Sequence, residues 1–265
     1  MRLARVVAGA ITAAALAAGT VSLAAPASAA TVNYVALGDS YSAGVGAGNY
    51  DSSSGSCSRS YSSYPYLWAA QTGANFTDVA CSGAKTGDVL SSQLSALNSS
   101  TTEVSITIGG NDAGFANTME TCVLSGTSSC LSAVSSAESY ARNTLPGLLA
   151  NTYSQIHSHA PNAHVVVLSY PHLYQVPGSC LFGISDTSRS AINGAADILD
   201  GVINKAAANA GFTFADVRGS FDQGHEICGD SDQWLNSTTW PISDSYHPTA
   251  DGQQYGYLPE FSASA

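Results

Sequence analysis

The sequence predicts an α/β protein, a three-layer α/β/α sandwich around a central parallel sheet of about five strands. Three observations carry this expectation. Short β-branched runs alternate with longer segments whose apolar residues recur at helical spacing, an order that favours parallel strands covered on both faces. Apolar residues make up 45% of the 265 residues, enough for a substantial core. No internal repeat or long linker divides the chain, so residues 30–265 are expected to form one domain.

The elements follow in order. Residues 32–37 (Val-Asn-Tyr-Val-Ala-Leu) read as a buried strand. Residues 64–72 read as a short helix entered through Pro65, whose missing N–H costs nothing in a first turn. Residues 75–80 are a second strand candidate. Residues 86–97 carry Val89, Leu90, Leu94 and Leu97 at helical spacing, and the β-branched stretch 103–108 reads as a strand. Residues 131–159 read as a long helical region, interrupted or kinked at Pro146. Residues 164–168 (His-Val-Val-Val-Leu) are the clearest strand. Residues 186–210 read as a helix with Ile192, Ala196, Leu199 and Ile203 on one stripe. Residues 212–216 read as a last short strand and 249–256 as a terminal helix.

The first 29 residues are expected to lie outside this fold. Arg2 and Arg5 begin a basic segment, residues 6–25 are apolar, and Ala27-Ser28-Ala29 is a small-x-small cleavage site. This is the pattern of a secretory signal peptide, so the protein is expected outside the cell. A retained membrane anchor is the alternative reading. Cleavage would leave six Lys and Arg against nineteen Asp and Glu. So few scattered cations cannot displace phosphate counterions, and nucleic acid is not an expected partner.

Six cysteines follow, Cys57, Cys81, Cys122, Cys130, Cys180 and Cys228. An even number in an exported chain implies disulfides. Of the possible pairings, the sequential set Cys57–Cys81, Cys122–Cys130 and Cys180–Cys228 is the expectation. There is no C-x-x-C, and only Cys228 lies near a histidine (His225), so a zinc site is not expected.

In parallel sheets, ligands sit beyond the carboxyl ends of the strands. The first strand ends in Gly38-Asp39-Ser40-Tyr41-Ser42, where a glycine turn would present Ser40 at a strand tip, as a nucleophile or as a helix cap. The second ends in Ala80-Cys81-Ser82-Gly83-Ala84, where Gly83 could bring a backbone N–H close to a ligand or simply make a turn. The third ends in Gly109-Gly110-Asn111-Asp112, with an amide that could face negative charge or form an Asx turn. Asp112 is expected to order that loop. Asp244-Ser245-Tyr246-His247-Pro248 places His247 just before a proline able to start a helix, with an acid three residues earlier.

These segments, Gly38-Asp39-Ser40, Gly83, Gly109-Gly110-Asn111-Asp112 and Asp244-x-x-His247, resemble in order and type the SGNH (GDSL) hydrolases, in particular their secreted actinobacterial lipase and phospholipase A1 branch. They span nearly all of the chain after residue 30. The G-x-S-x-G elbow of the larger α/β hydrolases is missing. The resemblance implies Ser40 as nucleophile and His247 as its base, with an oxyanion hole from the Ser40 N–H, the Gly83 N–H and the Asn111 amide. It implies either Asp244 or the main-chain carbonyl of Ser245 as the group that orients His247, several relatives using a carbonyl. The chemistry agrees, because a serine hydroxyl needs a base during attack and histidine titrates near the working pH.

The implied activity is carboxylic ester hydrolysis on lipids through an acyl-enzyme, as phospholipase A1 or lipase, with no cofactor and no metal. Expected partners are a lipid ester or phospholipid substrate and transient lipid surfaces, with the protein a monomer. Leu173, Tyr174, Val176, Leu181 and Phe182 in the loop 171–183, and Phe115, are candidate acyl-chain contacts or ordinary loop packing. Two rival readings are a carbohydrate acetyl esterase and a secreted carbohydrate-binding protein.

Overall fold

The computed structural model describes residues 31–181 and 183–265; the segment expected to be a signal peptide and Phe182 lie outside the described residues. Five strands form one parallel sheet in the order β2-β1-β3-β4-β5. They are β1 (Asn33–Gly38), β2 (Asn75–Asp78), β3 (Glu103–Thr107), β4 (His164–Leu168) and β5 (Thr213–Ala215). The central strands β3 and β4 are buried almost throughout; β4 reads accordingly as a continuous Val-Val-Val-Leu run, while β3 alternates polar and β-branched residues. The chain winds one way from β1 to β2 and the other way from β3 to β5. The reversal leaves a crevice beyond the carboxyl ends of β1 and β3, where such sheets bind ligands.

Helix α1 (Ser40–Ala43) follows β1 directly, and α2 (Tyr64–Thr72) leads into β2. The chain after β2 forms α3 (Thr86–Asp88) and two further short turns, the π-helical Val89–Gln93 and the 3-10 Leu94–Ala96. Between β3 and β4 run α4 (Phe115–Leu124), α5 (Gly126–Asn143) and α6 (Leu145–His159), and α7 (Asp186–Ala210) joins β4 to β5. After β5 come α8 (Arg218–Phe221), the π-helical turn Gly252–Tyr257 and α9 (Leu258–Ser264). Helices α2 and α9 pack together through Trp68 and Phe261, both of which meet the ring of Tyr34 on β1. Helices α5, α6 and α7 pack against one another in a second group.

Several elements depart from expectation. Helix α4 (Phe115–Leu124) is absent from the sequence reading; it opens directly after the left-handed Gly114, with no side-chain cap to mark its start. The long region does not break at Pro146. It breaks at Thr144, and Pro146 occupies the first turn of α6, where it costs no hydrogen bond. Residues 86–97 are three short helical turns rather than one helix. The terminal helix continues past Gly256 to Ser264, with Pro259 again in a first turn.

The cysteines pair as Cys57–Cys81, Cys122–Cys130 and Cys180–Cys228. The first holds the turn after β2 to the loop after α1, the second ties α4 to α5, and the third joins the loops leaving β4 and β5. No helix among the described residues is long and apolar enough to cross a membrane.

Candidate active site

The nucleophile segment is built into the sheet. Gly38 ends β1 at φ +117°, and a Cβ there would lie 2.3 Å from the Thr107 carbonyl oxygen, so only glycine fits. Gln93 hydrogen-bonds both backbone groups of Gly38, its Oε1 accepting at 2.7 Å and its Nε2 donating at 2.9 Å. The N-cap of α1 is Asp39, whose carboxylate accepts from the Tyr41 N–H at 3.0 Å. Ser40 is therefore the first helical residue, not the cap. Its N–H has no intrahelical acceptor and stands at the positive end of the turn.

Asp39 is fully buried. It also accepts from Thr107 Oγ1 at 2.8 Å and from the Tyr170 hydroxyl. Burial pushes its carboxyl up to about 6 against these three hydrogen bonds, which favour the charged form. The Tyr170 oxygen in turn accepts from the Gly110 N–H at 3.2 Å. One phenol thus joins the serine turn to the loop that carries Asn111. Neither Asp39 nor Tyr170 was assigned a role from sequence, although the acid beside Ser40 and the tyrosine just after β4 were visible there.

His247 reaches this turn from the far end of the chain. Its Nε2 lies 2.8 Å from Ser40 Oγ. The preceding residue, Tyr246, adopts φ 63°, a left-handed conformation uncommon for a bulky side chain. Three hydrogen bonds hold it there. Its carbonyl accepts from Tyr41 Oη at 2.7 Å, its N–H donates to the Asn236 carbonyl at 2.9 Å, and its hydroxyl meets Thr238 Oγ1 at 2.7 Å. Packing around the imidazole lowers its pKa to about 4, although the residue as a whole is only partly buried. The Ser245 carbonyl opposes that shift most, followed by the Asp244 charge and the Ser243 carbonyl. Nδ1 is buried without a hydrogen bond of normal geometry among the described residues. The Asp244 carboxylate accepts from Ser243 Oγ at 3.3 Å and neighbours the Tyr50 hydroxyl instead.

The other two segments meet between these arms. Cys81 donates its N–H to the Gly38 carbonyl at 3.0 Å, which sets the turn holding Gly83 at φ +77° beside the end of β1. Asn111 Nδ2 donates to the Ala84 carbonyl at 3.1 Å, leaving its second amide hydrogen for a ligand. Asp112 ties the same two loops, accepting from Thr86 N at 3.0 Å and from Thr86 Oγ1 at 2.6 Å. It orders the loop, as expected. Among the described residues no hydrogen bond uses the N–H of Ser40 or Gly83.

Ser40 and Asn111 open into an apolar cleft of about 760 Å³, its mouth included. Phe115 and Met119 of α4, Val134 and Ala141 of α5, and Ile192 and Leu199 of α7 line it. Among the described residues, the loop 171–183 contributes Pro171 and Leu173. Of the expected acyl contacts, Leu173 and Phe115 line the cleft, whereas Tyr174 packs into the core and Val176 and Leu181 point to solvent; helices α4, α5 and α7 supply most of the wall.

Comparison with known proteins agrees with this geometry. The model of the GDSL-like lipase/acylhydrolase family matches residues 36–255. A lipase from Streptomyces rimosus is 58% identical over 233 residues, covering 88% of this chain and 86% of that protein. The crystal structure of an extracellular lipase from the same species superposes with a TM-score of 0.86 at 57% identity, over 89% of this chain and 100% of the other. A phospholipase A1 from Streptomyces albidoflavus superposes with a TM-score of 0.86 at 54% identity, again over 89% and 100%.

Proposed function

The chain belongs to the GDSL-like lipase/acylhydrolase family and is a carboxylic ester hydrolase, and we propose that Ser40 and His247 cleave lipid esters, including the sn-1 ester of phospholipids. The observation that supports this reading is the 2.8 Å approach of His247 Nε2 to Ser40 Oγ at the mouth of an apolar cleft. A neutral imidazole takes the Ser40 proton as Oγ attacks the ester carbonyl. The resulting oxyanion accepts from the Ser40 N–H, the Gly83 N–H and the free Asn111 amide hydrogen. His247 then returns the proton to the leaving alcohol. Water, deprotonated by the same imidazole, releases the acid and restores the serine.

The Ser245 carbonyl, rather than the Asp244 carboxylate, orients the imidazole in this reading. It is the group that most favours the charged ring, whereas Asp244 is engaged with Ser243 and Tyr50. The apolar walls of α4, α5 and α7 suit an acyl chain. The enzyme works outside the cell as the single domain 30–265, freed of residues 1–29. Mass-resolved products from a phosphatidylcholine with two different acyl chains test the reading. Release of the sn-1 chain by wild type and not by Ser40→Ala is expected. Release of choline or phosphate, or a strong preference for acetyl esters, would reject it.

A further inference from the structure

We propose that the loop tip formed by Trp240 and Ile242 is a docking surface that seats the enzyme on a neutral or zwitterionic lipid surface, a step that rests on the lipid-ester reading above.

The tip projects from the segment that ends in His247. Asn236 N–H donates to the His247 carbonyl at 2.9 Å, and Tyr246 N–H to the Asn236 carbonyl at 2.9 Å, so the base of the loop is closed. Thr239 N–H donates to Ser245 Oγ at 2.9 Å, and Asp244 N–H to the Pro241 carbonyl at 3.0 Å, which keep the loop folded. At its end Trp240 is 89% exposed and Ile242 64% exposed. The indole has no ring contact and no hydrogen bond among the described residues. Such exposure in a held loop brings no folding gain, since burial is what makes an apolar side chain stabilising. An indole is well suited to the boundary between water and hydrocarbon, where its ring is buried and its N–H stays wet.

Connectivity keeps the tip close to the reacting groups. The segment that carries it ends at His247, whose Nε2 stands 2.8 Å from Ser40 Oγ, only five residues beyond Ile242. The loop after β4 also exposes Val176 and Leu181, and Cys180–Cys228 ties that loop to the segment that runs from β5 toward the tip. The charge pattern selects the kind of surface. Residues 236–246 hold no lysine or arginine and one carboxylate, Asp244, on a chain of net charge −11. An anionic membrane attracts polybasic segments, and this tip has none. A neutral or zwitterionic surface asks only for apolar area.

The test compares wild type with the double variant Trp240→Ser, Ile242→Ser, and with Trp240→Phe. Phosphatidylcholine vesicles supply the surface, and p-nitrophenyl butyrate below its aggregation limit supplies a soluble ester. The double variant is expected to sediment with vesicles at least about tenfold less, and to lose vesicle hydrolysis in proportion, at unchanged turnover of the soluble ester. Trp240→Phe should keep most of the binding but lose the blue shift of tryptophan emission on vesicle addition. Three results would overturn the proposal. They are undiminished sedimentation of the double variant, an equal fall on both substrates, or a change of molecular mass in solution that shows the tip buried between two copies of the chain. Wild-type binding through the tip without cleavage of the phospholipid would instead sink the lipid-ester reading and leave the docking surface standing.

Discussion

The two arms of the site are held very differently. The serine arm, residues 38–42, is buried and hydrogen-bonded to β3, to Gln93 and to Tyr170. The histidine arm, residues 236–249, is an irregular segment whose inner side meets Tyr41 and Gly46 and whose tip is bare. One arm is part of the core, and the other is a loop laid on its edge. The contrast suggests a division of labour. Attack geometry and charge stabilisation belong to the rigid arm, while the proton carrier sits on a segment that also meets the surroundings.

Substitutions can break that comparison, and the largest effects should come from the two reacting groups. Ser40→Ala or His247→Ala should each lower kcat by about 10⁶, as for other serine–histidine sites, and combining them should add little. Steady-state kinetics on a soluble ester read this out. Asn111→Ala removes one oxyanion donor on the rigid side and should lower kcat by about 10²–10³ with little change in KM. An equal rise in KM would place Asn111 in substrate binding instead.

Tyr170→Phe sharpens the contrast. It leaves Asp39 with one donor fewer and the Gly110 N–H without its acceptor, so kcat should fall about tenfold, as expected for about 1–2 kcal/mol of lost hydrogen bonding. KM should hold, because the phenol ties two catalytic turns together.

The pH dependence separates the arms by sign. His247 is depressed to about 4, so activity should persist well below the ordinary histidine range and be lost only near that value. In the unfolded chain the same histidine titrates near about 6.5. Its contribution to stability is therefore present above that pH and is lost as pH falls toward 4. Asp39, raised to about 6, acts in the opposite sense. Its contribution is present below the ordinary carboxylate range and is lost as pH rises through 6. Thermal melts of wild type and Asp39→Asn across this window check it. The smallest effect should come from Asp244→Asn, with most activity kept, against a loss of about 10⁴ where an acid truly orients the histidine.

The same contrast explains how much could be read beforehand. Strand β4 was legible because burial on both faces leaves an apolar β-branched run, β1 and β3 because short apolar or β-branched stretches end in glycine turns, and α7 because Ile192, Ala196, Leu199 and Ile203 keep one helical stripe. Glycine or proline punctuation at strand ends marked Ser40, Gly83, Asn111 and His247 as candidates, and only the resemblance to the SGNH hydrolases chose between their alternative readings. The walls of the cleft were legible only at Phe115 and Leu173. The rest depends on α4, which has no side-chain cap to announce it, and on α5 and α7, which lie far along the chain. Tyr170 was hidden for a related reason. Its meaning lies in two partners, Asp39 and Gly110, that only the sheet order brings within reach.

The most direct test is covalent labelling by a fluorophosphonate, with the adduct located by mass spectrometry in wild type and in His247→Ala. The account predicts one label per chain, on Ser40, at a rate that falls by about 10³ or more without the imidazole. A label on another residue, or an undiminished rate in His247→Ala, would contradict it.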